Sequence, residues 1–218
     1  MLERAIVRPE IGHCNATRFH LATAGASAIP LLVASWNETP HLRHGVTITF
    51  GIMLWYVDNT GRALSPGDRV IARRHLLRSA AAEERWLRQA FVEAADWTND
   101  PTWSPLVRRI DPNSTARRKL EGELVVIRPS ELMRLLHEQW VAMGEEGWVS
   151  DEGLRQNGAL ALGTAGAALD QQELRTARAA LTALSVNLGA ARGRGVRMEG
   201  FEMMQGGIEA LTSRLTFA

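Results

Sequence analysis

Between residues 116 and 143 the chain reads ARRKLEGELVVIRPSELMRLLHEQWVAM, and its hydrophobic period changes partway through. In the first half Leu120, Gly122, Leu124 and Val126 alternate with Glu121, Glu123, Val125 and Ile127, the two-residue repeat of a strand. In the second half Leu132, Leu135, Leu136, Trp140 and Met143 recur at helical spacing, so one stripe of that helix has to be covered. Pro129 and Ser130 stand at the change. The Ser130 hydroxyl suits an N-cap, and Glu131 puts negative charge at the positive end of the helix dipole. A strand running straight into an amphipathic helix is one half of a ferredoxin-like or other α+β unit.

The rest of the chain is read against that unit. Residues 3–8 (ERAIVR) make a short first strand ended by Pro9. Asn15 or Thr17 then caps a helix that carries Arg18, Phe19 and His20 into the apolar run 21–36. That run holds Pro30 and falls short of the roughly 20 residues of a spanning helix, so it reads as a buried helix kinked or split at the proline, and no membrane is expected. His41 and His44 sit in a proline-led loop. Residues 46–57 (VTITFGIMLWYV) read as a long strand with a bulge at Gly51, residues 58–68 as a turn, and residues 69–74 as the return strand of a hairpin. Residues 78–96 form an amphipathic helix with Trp86, Ala90 and Phe91 on one face and Glu84 four residues before Arg88. Pro101, Pro105 and Pro112 mark residues 97–115 as a connector. It divides an N-terminal α+β unit, residues 1–100, from a C-terminal α+β unit, residues 101–218. The second unit adds a glycine-rich, acidic stretch at 144–166, an alanine-rich helix at 172–188, an Arg/Gly-rich segment and a closing strand at 196–204.

Charge and residue choice narrow the function. A formal net charge of +1 over 218 residues excludes a wholly basic nucleic-acid coat, yet of the 25 cations only Lys119 is lysine. Guanidinium forks match phosphates and stack on bare bases, so an arginine-only surface suits RNA or DNA; a GC-rich genome gives the same bias. Cys14, the one cysteine, forms no internal disulfide, which fits a reducing cytoplasm. His13, Cys14, His20, His41 and His44 lie close in sequence, but without Cys-x-x-Cys or His-Glu-x-x-His no metal is expected. A P-loop and a Gly-x-Ser-x-Gly elbow are also missing from the sequence. RNA brings its own nucleophile, the 2′-hydroxyl, so a protein cutting it needs only a base and groups that neutralise the phosphate. His20, the single tyrosine Tyr56 and the arginine clusters supply that inventory without a cofactor. Glycines beside Arg192, Arg194 and Arg197 let backbone N–H groups approach a polyanion, and Arg117, Arg118 and Lys119 form a second basic tract. Several tryptophans that look exposed, together with the Ala/Gly-rich last third, suit an interaction protein instead.

In order along the chain, NATRFHLATAG, GVTITFGIMLWYVDNTGR, RVIARRHLLRSAAAEERWLRQAF and RRKLEGELVVIRPSELMRLL resemble the CRISPR repeat-processing endoribonucleases of the RAMP superfamily, over roughly residues 1–143. The resemblance implies two ferredoxin-like, RRM-like units. It also implies metal-independent cleavage of precursor repeat RNA by 2′-hydroxyl attack, with the mature guide RNA kept in a Cascade-type complex beside other effector subunits. By position His20 matches the catalytic histidine of the first helix better than His13 does, and Arg73, Arg74 and Arg78 fall where the family contacts RNA. The sequence departs from the family after Met143, where Glu145, Glu146, Asp151 and Glu152 would repel phosphate and the basic glycine-rich loop is delayed past an extra helix. The alternative is a non-catalytic structural subunit of a CRISPR effector or phage complex.

Overall fold

The computed structural model describes residues 11–60 and 64–215, with side chains for 17–55 and 64–215. Among the described residues every regular element is helical, and the only β features are isolated bridges at Val149, Arg192 and Val196. The α+β, ferredoxin-like expectation is therefore overturned. The helices are α1 Ile11–Thr23, α2 Ile29–Glu38, α3 Arg43–Thr60, α4 Pro66–Ala80, α5 Arg85–Thr98, α6 Ser104–Ile110, α7 Thr115–Val126, α8 Pro129–Glu145, α9 Glu152–Asp170, α10 Leu174–Ala191 and α11 Met198–Arg214. They group into two compact units, one built from the chain up to Asn99 with Ile110–Ala116, the other from Asp100–Arg109 with the chain from Arg117 onward.

In the first unit α3 is the central helix, packed by α1, α2, α4 and α5. Every residue from Gly45 to Leu54 is buried. A helix covered on all sides shows no amphipathic period, so its β-branched and aromatic run imitates a buried strand. Its two buried hydroxyls are satisfied within the helix, Thr47 donating to the Arg43 carbonyl and Thr49 to the Gly45 carbonyl, each at four residues' distance. Gly51 is no bulge: a Cβ there would come 2.5 Å from the Ala94 carbonyl oxygen, so glycine lets α3 and α5 cross closely. The expected return strand, residues 69–74, lies inside α4. There the Ser65 side chain accepts from the Asp68 N–H as an N-cap and Pro66 takes the first turn. The run at 78–96 is two helices, α4 ending at Ala80 and α5 beginning at Arg85, and Arg88 donates to the Ala82 and Glu83 carbonyls. The apolar run at 21–36 breaks at Gly25, where φ is +60°, and the helix path bends there by 117°. Pro30 sits harmlessly in the first turn of α2. No single helix among the described residues is long and apolar enough to cross a membrane. The expected strand at residues 3–8 lies outside the described residues.

In the second unit α8, α9, α10 and α11 pack as neighbours in a ring, α8 on α9, α9 on α10, α10 on α11 and α11 on α8. Leu132, Leu135, Leu136, Trp140 and Met143 all face the core, as their spacing requires. The N-cap is Arg128 rather than Ser130, with Pro129 in the first turn. The glycine-rich stretch is mostly the helix α9. Its Asp151 carboxylate caps the start by accepting from the Leu154 N–H, and Gly158 lies under the Trp140 ring, where a Cβ would meet Cζ2 at 2.2 Å. The Trp140 indole completes the contact by donating to the Arg155 carbonyl at 3.0 Å. Residues 120–126 are helical too, and Ile127 lies just beyond the helix end. Ala116 and Leu120, one turn apart, are buried in α7, whereas Val125 and Val126 are 76% and 72% exposed. Arg, Lys, Leu and Glu favour helix at the surface, and Arg117 pairs with Glu121 at 3.8 Å across one turn. The expected closing strand at 196–204 is reduced to Val196, after which α11 begins. The connector at 97–115 contains α6 and a fully buried Trp103.

Candidate nucleic-acid interface

The arginine-bearing turn that follows α10 is built by its own backbone. Gly193 takes φ +70°, its N–H donates to the Val196 carbonyl at 3.0 Å, and the Gly195 N–H returns to the Ala191 carbonyl at 2.9 Å. The Arg197 N–H donates to the Trp148 carbonyl and the Ser150 N–H to the Gly195 carbonyl, which ties the turn to residues 148–150. The guanidinium of Arg192 lies 4.9 Å from the Phe201 ring centroid, and that of Arg197 lies 5.6 Å from the buried Trp148 ring. Arg192 Nε also points at Met198 Sδ, and Arg194 donates to the Ala190 carbonyl at the end of α10. All three side chains are exposed. A guanidinium lying over an aromatic ring is attracted by its face and keeps N–H groups that can donate to a phosphate. Of the four acids expected to repel phosphate, Asp151 and Glu152 have partners at the start of α9. Asp151 caps α9, and Glu152 is held by Arg155 and Gln156.

The other expected contacts are scattered. Arg73 is 2% exposed within the first unit and cannot present its guanidinium to an outside phosphate. Arg74 and Arg78 flank His75, whose ring stacks on Phe50 at 4.9 Å and 11° and meets Trp36 edge-on at 5.3 Å. Burial, with Arg78 and Arg74 adding to it, lowers the His75 pKa to about 3, and its buried Nδ1 has no hydrogen-bond partner. Arg117 is partnered by Glu121, while Arg118 and Lys119 are exposed on α7.

Of the candidate catalytic residues, His20 is exposed on the last turn of α1, and the side chain of Tyr56, on α3, lies outside the described residues, as does that of His13. His41 is exposed, and His44 is half-buried. It stacks on Trp86 at 6.5 Å and 27°, and burial lowers its pKa against the opposing pull of Glu93. Among the described residues no three His, Cys, Asp or Glu side chains are grouped to hold a metal ion. Of the tryptophans, Trp36, Trp103, Trp140 and Trp148 are buried and Trp86 is the exposed one among those described. The sequence reading missed Trp148 and Phe201 as partners of the arginines, because stacking across a turn leaves no periodic signature.

The chain matches no protein-family model, and no curated protein or solved structure is similar to it.

Proposed function

We propose that this chain is an RNA-holding assembly subunit that binds without cutting. The pair Arg192 and Arg197 carries the reading, because two exposed guanidiniums held over aromatic rings on one turn can both offer N–H donors to a phosphate. Cleavage by His20 required RNA laid against a sheet, and the helical fold offers no sheet among the described residues. The runs that resembled RAMP endoribonucleases as strands are the helices α3 and α7, so the alternative of a non-catalytic effector or phage subunit stands in front. We place the protein in the cytoplasm, where its lone thiol stays reduced.

The test is equilibrium binding of single-stranded RNA across a salt series. Each phosphate contact contributes about −0.7 to the slope of log K against log salt, so Arg192→Ala and Arg197→Ala should each flatten it by about that amount. Binding that ignores salt, or that both variants leave unchanged, would overturn the proposal.

A further inference from the structure

The positive charge of the chain is not spread evenly. From Leu174 to Met198 it holds five arginines, Arg175, Arg178, Arg192, Arg194 and Arg197, and no acidic residue, on a molecule whose formal net charge is only +1. The rest of the chain is therefore net negative. Elsewhere in the same unit Arg109, Arg117, Arg134 and Arg155 each pair with a carboxylate. The side chains of Arg175 and Arg178 are exposed on α10 and make no hydrogen bond or ion pair among the described residues. Nor does Arg175 serve its own helix, because it stands in the first turn, where the positive end of the dipole repels a cation.

These arginines lie along one trough. Arg175 and Arg178 line it beside the α9–α10 turn; it runs past Thr182 and Asn187 and ends at Asn157 of α9 and Arg194 of the arginine turn. The amides of Asn157 and Asn187 make no hydrogen bond among the described residues, so each keeps donors and an acceptor for what enters. Two acids line the trough as well, Asp151, engaged as the α9 cap, and Glu173 at the outer end. Between the ends the floor is small and uncharged, Ala179 and Ala183, with room for flat rings. A ligand that matches carries negative charge at both ends and hydrogen-bonding edges between them. A single strand of RNA does so, because phosphates repeat along its backbone and its unpaired bases show their edges, which an RNA duplex hides in a groove that side chains do not read.

We propose that α10 carries the phosphate grip beyond the arginine turn, and that the trough holds a single RNA strand with its backbone on Arg175 and Arg178 at one end and on Arg194 at the other. Arg175 and Ala191, the last residue of α10, are about 24 Å apart along the helix. At about 3.4 Å for each stacked nucleotide, the footprint is about seven nucleotides. The trough rests on the RNA reading of the turn and adds to it a minimum length of strand.

Fluorescence anisotropy with oligouridylates of about 4, 8 and 12 nucleotides tests this on the full chain. Affinity should rise at least about tenfold from the shortest to the middle length, where both ends of the trough become engaged, and little beyond it. The double variant Arg175→Gln/Arg178→Gln, at exposed positions that leave the helical spectrum unchanged, should bind the middle length no better than the wild type binds the shortest. It should also flatten the salt slope by about 1.4, two phosphates' worth, whereas Arg192→Ala should weaken every length. If Arg192→Ala weakens binding and the double variant does not, the turn holds RNA and the trough proposal is overturned. If no length binds in a salt-dependent way, the reading of the turn fails and the trough falls with it. An oligoglutamate of matching charge that binds as tightly as the middle-length RNA, and loses affinity in the double variant, would assign the trough to an acidic protein partner and overturn the proposal as well.

Discussion

His75 shows how a single side chain sets conditions on the fold. Its ring is enclosed by Phe50 and Trp36, and burial beside Arg78 and Arg74 takes its pKa to about 3, against 6.5 for a free histidine. Between those values the unfolded chain binds a proton that the native chain refuses. Stability from this group is therefore complete above pH 6.5 and lost as the pH falls toward 3, by at most about 1.4 kcal/mol for each pH unit. His75→Phe keeps the aromatic packing and removes the titration. Thermal melts should show the wild type losing ground to the variant between pH 6.5 and 4 but not between pH 7 and 8. At the exposed end of α1, His20→Ala should bind RNA as the wild type does, and neither protein should shorten a repeat RNA, with or without EDTA. Production of a 2′,3′-cyclic phosphate by the wild type alone would restore His20 as a base. The exposure of Arg192, Arg194 and Arg197 was legible from the glycine-rich segment that carries them. Arg73 was not legible as buried, since nothing in RVIARRHLL distinguishes a covered arginine from a solvated one.

At the scale of elements, legibility followed one-sidedness. The stripe of α8 announces its helix because only one side is covered, and α10 follows from its alanines and leucines. The buried α3 has no dry and wet side to alternate, so its valines, isoleucines and threonines spoke for a strand. In α7 the same leucines, Leu120 and Leu124, fit a period of two or of nearly four. Burial distinguishes them: a strand would hide Val126 with Leu120, and the helix leaves Val126 in water. Val126→Lys should accordingly change stability by no more than about 0.5 kcal/mol in chemical denaturation. Gly51→Ala tests the closest crossing. A methyl group 2.5 Å from the Ala94 carbonyl oxygen forces α3 and α5 apart, at a cost of about 1–3 kcal/mol in the same assay.

For the whole molecule, a net charge of +1 gives no long-range field to gather a polyanion, so the proposed RNA binding would rely on the local arginine turn, with association slow relative to strongly basic proteins. The polypeptide passes between its two units after Asn99, after Arg109 and again after Ala116. A chain ended at Asn99 lacks residues 110–116 of its own unit and should melt at lower temperature than one ended at Ala116. Any contiguous stretch that holds all of one unit also carries a piece of the other. Recombination at a single junction therefore cannot part the two units cleanly: a junction after Ala116 hands on the first unit whole, but with residues 100–109 of the second attached to it.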